Sequence, residues 1–96
     1  MLAKKHEYEL NTVLAVCDKE HIGKTFEDGK ICFTASERFY NGHLVTEKEL
    51  IELVKECSSV NLFGNKCVAI LEKEGLINQA NVILISGIKH AQVYVL

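Results

Sequence analysis

The segment Val45-Thr-Glu-Lys-Glu-Leu50 limits what this chain can fold into more than any other. Thr46 stands where a helix N-cap belongs. Glu49, three residues on, can return a hydrogen bond to the cap's own N–H, the reciprocal pair of a capping box. Val45 and Leu50 can close that entry as a hydrophobic staple. Behind it, Leu50, Ile51, Leu53, Val54 and Cys57 form one apolar stripe at helical spacing, with Lys48, Glu49, Glu52, Lys55 and Glu56 on the other side. The pattern predicts a helix over Glu47–Cys57 with a face that must be buried. A second stripe, Val60, Phe63, Cys67, Ile70 and Leu71, predicts a helix over Asn65–Glu74 that can begin a turn earlier. Gly64 argues for a break between the two pieces, and Gly75 with Leu76 for a Schellman ending.

The strands read less sharply. Leu10–Cys17 is apolar and β-branched, and its run Val13–Cys17 predicts a central strand. Asp18 can cap a short turn closed by Gly23. Asp28-Gly29 signals a turn into a strand over Lys30–Ala35, and Ser36–Tyr40 reads as a short helical turn. Val82–Ile85 is a buried strand. Ser86-Gly87 reverses the chain into a final strand over Gly87–Leu96, although Ser is a poor first residue for the favoured hairpin turns. Strands flanking helices predict one α+β domain over 1–96, with 1–6 a frayed N-terminus. The expected architecture is a two-layer sandwich: a roughly four-stranded antiparallel or mixed sheet with two helices on one face. Two helices cover only one face of such a sheet. The other must be polar, paired with a partner, or curled.

Alternation in the last strand says what that other face carries. Ala91, Val93 and Val95 point one way, and His90, Gln92 and Tyr94 the other. A strand that only needed burial has no use for an imidazole beside a carboxamide. No Ser or Cys nucleophile stands beside His90, so the pair suits hydrogen-bonded recognition better than nucleophilic catalysis. A second arrangement uses His90 as acid or base with Asp18 as its partner, in a small enzyme whose site lies at the strand ends. It requires both groups to converge on one pocket.

Other candidates are weighed against plainer roles. Gly23-Lys24-Thr25 resembles the end of a phosphate-binding loop, but Asp18 stands where that loop needs its first glycine, so the backbone cradle is missing. Arg38 and Tyr40 flank Phe39 and combine a guanidinium with an aromatic face that can stack on bases. Asn61 and Gly64 lie between the helical stripes, where they can cap and permit close packing, or leave backbone groups open to a ligand. Cys17, Cys32, Cys57 and Cys67 lack the close spacing of a zinc site and read as reduced, buried small hydrophobes. No cofactor and no metal is expected.

Thirteen acidic and eleven basic residues give a net charge of −2, which advertises no nonspecific nucleic-acid binder but leaves room for a local basic patch. No apolar run approaches the ~20 residues of a membrane span, and the charged amino terminus does not resemble a signal peptide. A cytoplasmic protein without membrane contact is expected.

Ala15-Val-Cys-Asp18, Gly23-Lys24-Thr-Phe26, Phe39-Tyr40-x-Gly42, Asn61-Leu-x-Gly64 and Gly87-x-x-His90-Ala-Gln92 occur in this order along nearly the whole chain. Together they resemble the small archaeal family known as domain of unknown function 424. The resemblance implies a compact α+β domain and brings no catalytic residues. It carries the expectation of an RNA or translation connection. Lys89 stands where the family pattern often has a proline before His-Ala-Gln. The functional expectation is a non-enzymatic binding module for RNA or a translation-related protein, using His90, Gln92 and Tyr94 with Lys24, Arg38, Tyr40, Asn61, Gly64 and Asp18. The alternatives are the His/Asp enzyme and a homodimer formed through the sheet.

Overall fold

The computed structural model describes residues 1–95. Its strands are β1 (Leu2–Glu7), β2 (Thr12–Cys17), β3 (Thr25–Asp28), β4 (Ile31–Thr34), β5 (His43–Leu44), β6 (Ser59–Phe63), β7 (Val82–Ile85) and β8 (Ile88–Tyr94). The helices are α1 (Glu37–Tyr40), α2 (Glu47–Lys55) and α3 (Asn65–Lys73), with 3-10 turns at Lys19–His21 and Gln79–Asn81. Six strands form one mixed sheet in the order β5-β1-β2-β6-β8-β7, and β3-β4 forms a separate hairpin. All pairings are antiparallel except β2 with β6. That parallel pair requires a long crossover, which the hairpin, α1, β5 and α2 supply.

Both helices form where the caps predicted. The Thr46 hydroxyl accepts from the Glu49 N–H at 3.1 Å and the Glu49 carboxylate accepts from the Thr46 N–H at 2.9 Å. At the end of α3, Leu76 N–H donates to the Leu71 carbonyl and Gly75 N–H to that of Glu72, the two bonds of a Schellman motif. Leu50 and Val54 of α2 and Cys67, Val68, Ile70 and Leu71 of α3 share one core cluster with Leu14, Val16, Val60, Leu62 and Ala91.

The other face of the sheet is not wholly uncovered. Ala15, Cys17, Phe63 and Ile85 pack there with Ala35 and Tyr40, and Phe26 and Phe33 of the hairpin close over them. Covering both faces of the central strands explains the unbroken apolar run in β2.

Three expectations need correction. The sheet has six strands rather than about four. Residues 2–7 are a strand rather than a frayed end, because β1 pairs along its whole length with β2. Val60 and Phe63 belong to β6, not to a helical stripe: Val60 faces α2 and α3, and Phe63 faces the hairpin. The final strand runs over Ile88–Tyr94, and Leu96 lies outside the described residues. No helix among the described residues is long and apolar enough to cross a membrane.

Candidate functional site

Strand register fixes which side chains share the hairpin-side face. Lys4, Ala15, Asn61 and Gln92 stand in one row across β1, β2, β6 and β8; His6, Val13, Ser59 and Tyr94 stand in the next. Neighbours in such a row have Cβ atoms about 5 Å apart. The hairpin covers the third row, where Phe63 pairs with His90. The hairpin roofs that row and α1 packs over β1 and β2, so Gln92 and Tyr94 of β8 are the exposed residues of the other two rows.

Helix α1 lies over the β1–β2 part of the face and sets the polarity beside its exposed part. Ser36 caps the helix through the Phe39 N–H, and buried Tyr40 donates its hydroxyl to Oδ1 of Asn61 in a short hydrogen bond. Burial holds the Tyr40 phenol above its ordinary range, so it remains a donor at physiological pH. With Oδ1 engaged, Asn61 can direct its amide N–H groups towards the neighbouring Gln92 carboxamide and solvent. On the other side Lys4 Nζ donates to the Arg38 carbonyl at 2.7 Å, while the His6 ring bonds the Phe39 carbonyl at 2.8 Å and stacks on the Phe39 ring. Tyr94 is 74% exposed. No Asp or Glu of β1, β2, β6, β7 or β8 points to this face.

The structure therefore gathers Arg38, Tyr40, Asn61, Gln92 and Tyr94 on or beside one surface. His90 lies at the edge of that surface, half-buried, with ring centroids 5.4 Å from Phe33 and 6.2 Å from Phe63. Its pKa is lowered by burial. Lys24 lies beyond the carboxyl end of β2, whereas Tyr94 is level with Val13 near that strand's start, so Lys24 is not part of the group.

Asp18 and Gly64 serve the helix on the opposite side. Both Asp18 oxygens accept backbone N–H groups at the α3 N-terminus, from Lys66 at 2.9 Å and Cys67 at 3.0 Å. The carboxylate caps a helix 48 residues away; it makes no side-chain cap to the 3-10 turn that follows it. Gly64 has φ +139°, and a Cβ there would strike the Asp18 carboxyl group. Asp18 thus turns to α3 while His90 lies under the hairpin, and the two do not converge.

Among the described residues, Asp18, Glu20 and His21 bring potential ligand atoms within 4.8 Å of one another. Asp18 is already spoken for by two N–H donors, and Glu20 is exposed. Cys17, Cys57 and Cys67 are buried, and desolvation raises all three thiols, Cys17 to about 12. They stay protonated and unreactive. Cys32 departs from the expected burial: it is exposed on β4.

Sequence reasoning missed Lys4, His6 and Ser59 of this surface. The alternation of Lys4, His6 and Tyr8 was available as a signal, but only to a reading that took 2–7 as a strand.

No curated protein matches the chain in sequence. Among solved structures, an uncharacterized conserved protein from the archaeon Methanopyrus kandleri is similar, with a TM-score of 0.82 and 25% identity over 99% of this chain and 90% of that one. A family model matches residues 6–96, and the chain accordingly belongs to the family described as Protein of unknown function (DUF424).

Proposed function

We infer that the chain is a non-enzymatic binding module, built as a two-layer α+β sandwich, that contacts single-stranded RNA through the exposed part of the hairpin-side face of its sheet. The observation that carries this reading is the charge pattern. In a chain of net charge −2, this sheet face bears Lys4 and His6 with Arg38 at its border, and no carboxylate from its strands. An anionic partner meets no like charge from the strands there. The exposed Tyr94 ring offers a stacking platform, and the Asn61 and Gln92 amides offer donors and acceptors to base edges. No pairing of His90 with a carboxylate or nucleophile supports chemistry in place of binding.

The test is a filter-binding titration of the protein with total cellular RNA at several salt concentrations. Affinity should fall steeply as salt rises, because phosphate contacts release counterions. Tyr94→Ala should weaken binding by about 5- to 100-fold, the range of one lost base–aromatic stack. Absence of binding at ~50 mM salt would reject the RNA reading in favour of a protein partner, such as a translation-related one.

A further inference from the structure

The two edges of the six-stranded sheet are treated differently. At one edge β5 is only two residues long, His43–Leu44, and too short to template much. At the other edge β7 runs Val82-Ile-Leu-Ile85 with no charge and no proline, two of the devices that discourage edge pairing. Ile83 is 52% exposed and Leu84 58%. They project to opposite faces, Ile83 beside His90 and Leu84 beside Lys89.

The pairing also shows which backbone groups are free. Ile85 and Ile88 flank a two-residue turn and so form a hydrogen-bonded pair, and the alternation makes Ile83–His90 the next one. The opposite side of β8 agrees: Lys89 accepts from Gly64 and Val95 donates to Ser58, so the odd residues of β8 bond towards β6 and the even ones towards β7. The N–H and C=O of Val82 and Leu84 must then point outward. Val82 N–H bonds the Gln79 carbonyl. Both backbone groups of Leu84 have no partner among the described residues.

We propose that β7 is a self-association edge, at which a second copy of this chain adds its own β7 antiparallel, joining two six-stranded sheets across a two-fold axis. An antiparallel pair of identical strands is self-complementary: Leu84 of each copy donates to and accepts from Leu84 of the other. No like charges oppose along Val82–Ile85. Pairing centred on Leu84 overlaps residues 83–85 of each copy, well below the ~1,000 Å² of a firm interface, so a weak and reversible dimer is the size-consistent outcome. The contact is distinct from the RNA surface, whose residues lie on α1, β1, β6 and β8.

Sedimentation equilibrium of the wild-type protein from about 10 μM to 1 mM tests this. A monomer–dimer equilibrium within that range is expected. Leu84→Lys, which sets two ammonium groups opposite each other, should weaken it at least about tenfold. Hydrogen exchange provides a readout that needs no variant: the Leu84 amide should gain protection as wild-type concentration rises. A protein that stays monomeric to 1 mM, or dimerises with no concentration-dependent protection at Leu84, overturns the proposal.

Discussion

Asp18 shows how much one side chain can decide. Its carboxylate ends the exposed helix pole of α3 from inside the protein, and Gly64 must lack a Cβ to let it in. Asp18→Ala removes two charge-assisted bonds and leaves the Lys66 and Cys67 N–H groups without their acceptor. A loss of about 2–3 kcal/mol in urea unfolding is expected. Local sequence could show only that Asp18 was a cap, because the N–H groups it receives lie 48 and 49 residues later. His90 was legible as a side chain on the hairpin side of β8, but the strand pattern could not reveal that Phe33 would roof it. Burial lowers its pKa, so the unfolded chain binds the proton more readily. The resulting stability is present above the unfolded pKa near 6.5 and is lost as pH falls through the lower folded value. Urea midpoints should therefore drop between pH 7.5 and 5, and His90→Phe should reduce that drop; an unchanged pH slope in the variant would assign the effect elsewhere.

At the scale of elements, those with local signals were the ones legible in advance. The α2 capping box and the α3 Schellman ending are written within a few residues of each helix end, and both helices follow. β1 and β6 were hidden for opposite reasons. In β1, Lys4 and His6 break the apolar pattern, and the carbonyls that receive them come from Arg38 and Phe39, more than thirty residues on. In β6, burial on both faces places Val60 and Phe63 three apart, a spacing that also fits a helix. The β7–β8 turn yields a further lesson. Ser86 and Gly87 have φ values of 51° and 78°, the positive pair of a type I′ turn, even though Ser disfavours that region. Its tertiary bonds compensate: the N–H donates to Asp28 Oδ2 and the hydroxyl to the Glu27 carbonyl. Ser86→Ala keeps the backbone strain and loses the hydroxyl bond, so a destabilisation of about 1 kcal/mol is expected in thermal or urea unfolding. Ser86→Asn, which tolerates the conformation, should cost less.

For the whole molecule, the parallel pairing of β2 with β6 dominates folding. These central strands lie more than forty residues apart in sequence, and their contacts cannot form until a large loop closes. Refolding in stopped-flow experiments should fall in the millisecond-to-second range. With no proline anywhere in the chain, the 10–100 s phase of prolyl isomerisation should be missing, even after long incubation in denaturant.

Chain order and sheet order also disagree at the β7 edge, since β8 lies between β6 and β7. During synthesis, the flank of β6 that β8 will occupy stays raw until Ile88–Tyr94 has been made. A product halted before Ile88 would present Val60 and Leu62 beside an unfilled slot.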